Sequence, residues 1–260
     1  MTTLYAPTAT PMPVAPSPLA RLTRVELRKA TDTRSGRWLL ALIAVIAVAG
    51  AVLAALTGKD SDHALSPILA VTAQVTVLLL PVLGVLLVTS EWSQHSALTT
   101  FTLVPRRTRV IAAKAAAAVL LAAGATVACV AIAAVVTALV GQGAGAPGGA
   151  WGGAGRTIGE VLLFEVLNVL LGVAFGLVFR SSAVAIVTYF ALPTGWAILT
   201  GTVSALAGVG RWLDPSTTWN HLADGSLTAT TWAQIATTAA AWIVLPAAVG
   251  LWRVIRQPVG

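Results

Sequence analysis

Between Trp38 and Trp252 the chain holds six overwhelmingly apolar stretches, each about 20 residues or longer, the length a helix needs to cross a bilayer. They run over residues 38–56, 67–88, 110–140, 158–179, 183–209 and 232–252. The first has no hydroxyl, amide or charged side chain. Barrel strands would show alternation in runs of about ten residues, and none is present. The expected fold is therefore all-α and polytopic. Pro81, Pro193 and Pro246 fall inside these stretches, where they kink a helix without breaking it. Composition agrees: 57% of residues are hydrophobic and 10% charged, against about 25% charged in soluble domains. With a mean hydropathy of +0.86, lipid must be the solvent for much of the chain.

Outside the spans, residues 1–18 carry Pro7, Pro11, Pro13, Pro16 and Pro18 and no charged leader region, which reads as a disordered tail rather than a cleavable signal. Residues 19–37 read as an interfacial amphipathic helix. Leu19, Leu22 and Val25 share one face, and Arg21, Arg24 and Arg28 the opposite one. A plain juxtamembrane charge cluster is the alternative. Residues 38–260 then form one six-span domain. The lone Cys129 sits in an apolar run, can form no disulfide within the chain, and reads as a small packing residue.

Orientation follows from lysine and arginine. With the N-terminus inside, 13 of the 16 basic residues are cytoplasmic: Arg21, Arg24, Arg28, Lys29, Arg34, Arg37, Arg106, Arg107, Arg109, Lys114, Arg180, Arg253 and Arg256. Only Lys59, Arg156 and Arg211 are outside. Both termini are thus expected in the cytoplasm of a multi-pass protein of the cell membrane. The same distribution accounts for the net charge of +7 without a nucleic-acid partner.

Several chemistries are missing. A phosphate-binding loop needs Gly-Lys-Ser/Thr, but the only lysine after a glycine, Lys59, is followed by Asp60. Gly143, Gly145 and Gly148 match G-x-G-x-x-G formally, yet no strand precedes them and they join two spans on the outer side. His63, His95 and His221 are scattered over different loops, with no metal-ligand spacing. No cofactor, metal site or catalytic residue is expected, and the chain is not expected to be an enzyme by itself.

The segment joining spans two and three is the most distinctive. It runs from Thr89 through Glu91, Thr99 and Pro105 to Arg106, Arg107 and Arg109, with Lys114 opening the third span. A peripheral partner gripping it would push on two spans at once. These residues resemble, in order and approximate spacing, the pattern of the membrane subunits of type-2 ATP-binding-cassette exporters, especially small actinobacterial permeases. Glu26-Leu27-Arg28-Lys29 with Thr33-Arg34 resembles that family's N-terminal surface helix, and Gly250 to Arg256 its last span. Ala97-Leu98 replaces the family's glycine before the threonine. The resemblance implies a separate cytoplasmic ATPase that binds ATP and Mg and docks on this loop. It also implies a homodimer or heterodimer of membrane subunits, and export of an amphiphile such as a drug, antibiotic or lipid.

Polar residues inside spans need a partner or a cavity. Glu160 can pair with Arg156 at the outer interface. Glu165 lies about 7–8 Å deeper, on one helical stripe with Asn168, Gly172 and Gly176. The two glycines form a G-x-x-x-G that permits close helix approach. The stripe must face protein, as a pathway lining, a dimer seam or a buried helix contact. Gln74 has the same ambiguity, with an interhelical hydrogen bond as the plainer reading. Residues 210–231 hold Trp212, Asp214, Pro215, Trp219, Asn220 and Asp224. They read as a folded outer loop or, by the resemblance, a segment dipping back into the membrane. Two further readings stay open: an ion-coupled secondary transporter using Glu165, and a non-transporting membrane scaffold.

Overall fold

A computed structural model describes residues 18–93, 107–141 and 149–256. The calls on Thr99, Pro105 and Arg106, and on the glycines 143, 145 and 148, lie outside them. The described chain is helical throughout: α1 (Leu19–Asp32), α2 (Arg34–Thr57), α3 (Leu65–Ser93), α4 (Arg107–Val140), α5 (Ala154–Phe179) and α6 (Ser182–Thr202) come first. Two short helices, α7 (Ala207–Leu213) and α8 (Pro215–Ala223), precede α9 (Ala229–Ala239) and α10 (Leu245–Arg256), which a π-helical turn over Ala240–Val244 joins into one run. Six helical segments are long and apolar enough to cross a membrane: α2, α3, α4, α5, α6 and the α9–α10 run. The protein is thus an all-α polytopic membrane protein.

Burial is unequal. The most apolar windows of α3 and α5 are 61% and 72% buried, whereas the other spans reach at most 22%. These two helices form the axis, and the rest shield it from lipid. Small residues bring them together. A Cβ added at Gly84 would stand 2.6 Å from the Val169 carbonyl, and one at Gly172 would overlap the Pro81 carbonyl. Gly176 fits against Val85 and Val88 in the same way.

The N-terminal helix ends earlier than its hydropathy suggests. Thr33 is extended (φ −72°, ψ 145°), and its hydroxyl accepts the Gly36 N–H at 3.2 Å, so α2 starts at Arg34. A Cβ at Gly36 would overlap the Ala30 carbonyl, which keeps this corner for glycine. Moreover, α1 turns Thr23, Glu26 and Ala30 toward the bundle and leaves Leu19 and Val25 exposed.

The fifth apolar stretch does not continue to Val209 as one helix. It stops at Thr202, where Val203 becomes extended, and the chain folds back so that Gly210 lies against Thr200. The Trp212 carbonyl accepts the Thr238 hydroxyl at 2.8 Å, and the Leu213 carbonyl accepts the Trp242 indole N–H at 2.7 Å. Thr238 and Trp242 lie about 14–20 Å along the helical run that starts at Ala229. The α7–α8 pair is therefore a hairpin folded alongside the α9–α10 run, with Trp219 and Leu222 buried against the α5 side of the bundle. The π turn in α9–α10 has a cause nearby: Pro246 has no N–H, and the Leu245 N–H bonds the Ala240 carbonyl five residues back.

Candidate functional site: a buried ionic junction

The ends of α1, α3 and α4 meet at one end of the bundle, called the basic end here because Arg107, Arg180 and Arg253 also lie there. The junction contains four charged side chains. Lys114 of α4 contacts Glu26 of α1 at 2.7 Å and Glu91 of α3 at 3.1 Å, and donates to the Leu87 carbonyl at 2.8 Å. Lys29 of α1 contacts the same carboxylates, Glu26 at 2.8 Å and Glu91 at 3.1 Å. Lys114, Glu26 and Glu91 are 1%, 5% and 3% exposed, so the first lysine is locked inside while Lys29 reaches water.

Two carboxylates and two ammoniums balance, which is what lets charge survive burial. Helix geometry supplies the register: Glu26 and Lys29 are one turn apart on α1, Glu91 lies in the last turn of α3, and Lys114 sits two turns into α4. A cavity of about 300 Å³ adjoins the junction, with Lys29, Thr33, Ser35 and Ser90 as its polar lining and Leu83, Leu86 and Leu87 as its apolar lining. The junction thus ties α1 to both helices that flank residues 94–106. A displacement of any one of them strains the other two.

The loop residues divide. Arg107 donates to the Val254 carbonyl of α10 at 2.6 Å. Arg109 is half-buried at the foot of α4. Neither joins the junction among the described contacts, whereas Glu91 is at its centre.

Within the membrane, Glu165 is fully buried and takes the hydroxyls of Thr76 (2.5 Å) and Thr126 (2.6 Å), joining α5 to α3 and α4. Asn168 donates to the Phe164 carbonyl at 2.9 Å and accepts the Tyr189 hydroxyl at 3.2 Å. The stripe from Glu165 to Gly176 faces protein along its whole length. Gln74 is apart from it: exposed, beside a small cavity with Thr157, Glu160 and Leu222. At the opposite end Arg156 pairs with Glu160 at 2.7 Å and also donates to the Gly225 carbonyl.

Two buried carboxylates were not singled out from the sequence. Glu26 drew notice only through the family resemblance, because a glutamate in a basic helix reads as surface. Asp214 is 4% exposed at the tip of the hairpin, where it caps α8: its carboxylate accepts the Ser216 N–H (2.9 Å) and hydroxyl (2.7 Å) and the Thr217 hydroxyl (2.9 Å). Asp214-Pro215-Ser216-Thr217, with proline at the first helical position, is a capping signal that hydropathy hides. Among the described residues no His, Cys, Asp and Glu cluster could hold a metal ion.

Fold and junction together define a helical integral membrane protein built around two buried helices and an ionic junction at one end. No protein-family model matches the chain, and no curated protein matches it.

Proposed function

We propose that this chain is the transmembrane subunit of an ATP-binding-cassette exporter of the type-2 kind, located in the cell membrane with both termini inside. ATP is hydrolysed by a separate cytoplasmic subunit, and two membrane subunits form the pathway for an amphiphile such as a drug, antibiotic or lipid. The observation that carries this reading is the junction of Glu26, Lys29, Glu91 and Lys114. A motor pushing on residues 94–106 must move α3 and α4 together, and a charge-balanced buried junction resists their separation. It also recruits α1, which gives a cytoplasmic push a lever along the membrane surface. Of the residues that carry the resemblance, Glu26, Lys29, Glu91 and Lys114 meet in this junction, whereas Arg107 is anchored on α10.

The deciding experiment is purification of the tagged full-length chain from its native membrane, with the co-purifying proteins assayed for ATP hydrolysis. An ATPase recovered in equal proportion supports the reading; its absence, with transport intact in vesicles lacking nucleotide, would favour the carrier reading. Glu165 is the residue such a carrier would use, since its carboxylate meets only threonine hydroxyls among the described hydrogen bonds.

A further inference from the structure

A groove of about 260 Å³ runs between α2 and α4 and is floored by α3. Thr76, Leu80 and Cys129 on its floor are buried, whereas Ala44, Gly124 and Ala128 on its rim are exposed. Small residues make the room: a Cβ added at Gly124 would meet no atom within 4 Å. The walls belong to helices that face lipid, for the most apolar windows of α2 and α4 are only 17% and 22% buried.

Shape and depth identify the occupant. On α4 the lining runs from Leu120 to Ile132, about 18 Å at 1.5 Å per residue. That is more than half of a hydrocarbon core about 30 Å thick. Pockets for drug-sized ligands hold about 300–1,000 Å³, so a smaller volume drawn out over this length suits one narrow chain rather than a ring system. A helix of a second copy, about 10–12 Å across, is too wide to enter it. Water is disfavoured as well, because a buried water needs about 2–4 polar partners. Among the described residues the groove is lined by no charged side chain and by one hydroxyl, that of Thr76, which is engaged with Glu165 at 2.5 Å.

We propose that this groove is a binding site for one acyl chain of a bilayer phospholipid. Hydrocarbon outside is as apolar as the walls, so packing holds the chain rather than transfer out of water. Selection is therefore by the chain, and the headgroup is indifferent. A seated chain packs α2 against the α3–α5 axis and lies on Thr76, the residue that ties α3 to Glu165. The site does not depend on the export role.

The test uses the full chain in phosphatidylcholine nanodiscs doped with a phosphatidylcholine that carries a diazirine at mid-chain, with adducts mapped by peptide mass spectrometry. In wild type, adducts on the groove residues of α2 and α4 should exceed those on the open face of α6, around Val187 and Ile198, several-fold. Gly124→Leu with Ala128→Leu fills the groove and should remove that excess. Gly124→Leu alone, the gentler change, should remove most of it. Gly195→Leu, at an exposed position of α6 that also meets no atom within 4 Å, should leave it intact. The same diazirine chain on phosphatidylglycerol should give the wild-type pattern. Even labelling of the groove and the α6 face in wild type, or an undiminished excess in Gly124→Leu, would overturn the site. So would labelling that appears with one headgroup and not the other. High-yield disulfide dimers of Ala128→Cys in a Cys129→Ala background would instead show a second copy over the rim, and would overturn it too.

Discussion

Lys114 and Glu26, 88 residues apart in sequence, form a 2.7 Å ion pair with both side chains almost wholly out of solvent. The pair fixes α1 to α4, and Glu91 completes it from α3. Removing Lys114 leaves the half-exposed Lys29 as the remaining lysine shared by Glu26 and Glu91 among the described contacts. Lys114→Met should therefore cost about 3–5 kcal/mol, read as a large drop in unfolding temperature in detergent. Pairing it with Glu26→Gln should restore part of the loss. Glu91→Gln should be milder, because Lys114 keeps both Glu26 and the Leu87 carbonyl. Wild-type stability in Lys114→Met would mean that the junction bears no strain.

The coupling role separates folding from function. Glu91→Gln, or Arg106→Ala with Arg107→Ala, should insert and express near normally. In reconstituted vesicles the partner ATPase should still hydrolyse, while its stimulation by substrate and export itself are largely lost. Wild-type export with intact stimulation in these variants would remove the main support for the exporter reading.

Topology can be read by thiol labelling in a Cys129→Ala background, since Cys129 is the only cysteine and is buried. Cysteine at Ser96 should resist impermeant reagents in intact cells, and cysteine at Ala146 should react. The reverse pattern would invert the protein in the membrane.

For Glu165, glutamine keeps the shape and can still bond Thr76 and Thr126. Glu165→Gln should retain export, with stability within about 1 kcal/mol of wild type. Collapse of transport together with loss of its pH dependence would instead mark Glu165 as a proton carrier.

The α3–α5 contact gives a graded series. Gly172→Ala places a methyl into the Pro81 carbonyl and should cost about 1–3 kcal/mol or more. Gly124→Ala and Gly195→Ala meet nothing within 4 Å and should be near neutral. Equal stability across the three, measured by thermal unfolding in one detergent, would contradict the close crossing.

The spans were legible because length and hydropathy act locally, and bilayer thickness converts them directly into helices. The end of the fifth span was not, for the same reason: Thr202 to Val209 is apolar enough to continue α6, and the turn depends on tertiary contacts, Gly210 on Thr200 and the Trp212 and Leu213 carbonyls on Thr238 and Trp242. The stripe of Glu165, Asn168, Gly172 and Gly176 could be read as protein-facing from helical spacing, but its partners Thr76, Thr126 and Tyr189 are on other helices. Likewise each member of the junction can be seen in sequence, yet their meeting depends on how α1 lies across α3 and α4. The Thr33 break that sets this angle looks, locally, like one more polar residue before a span.

The central place of α3 and α5 also constrains how the protein is made. When α3 leaves the ribosome, its main partner does not yet exist; roughly 70 residues separate Ser93 from Glu165, about 4–15 s of synthesis. During that interval Thr76 has no carboxylate to bond, and the surface of Pro81 that will receive Gly172 faces lipid or the insertion machinery. Nascent chains stalled before residue 165 should therefore be held by chaperones or cleared by membrane proteases, whereas those extended past Gly176 escape both. The arrival of α5 at the axis, rather than the last residue translated, should then set when the chain stops being a substrate for them.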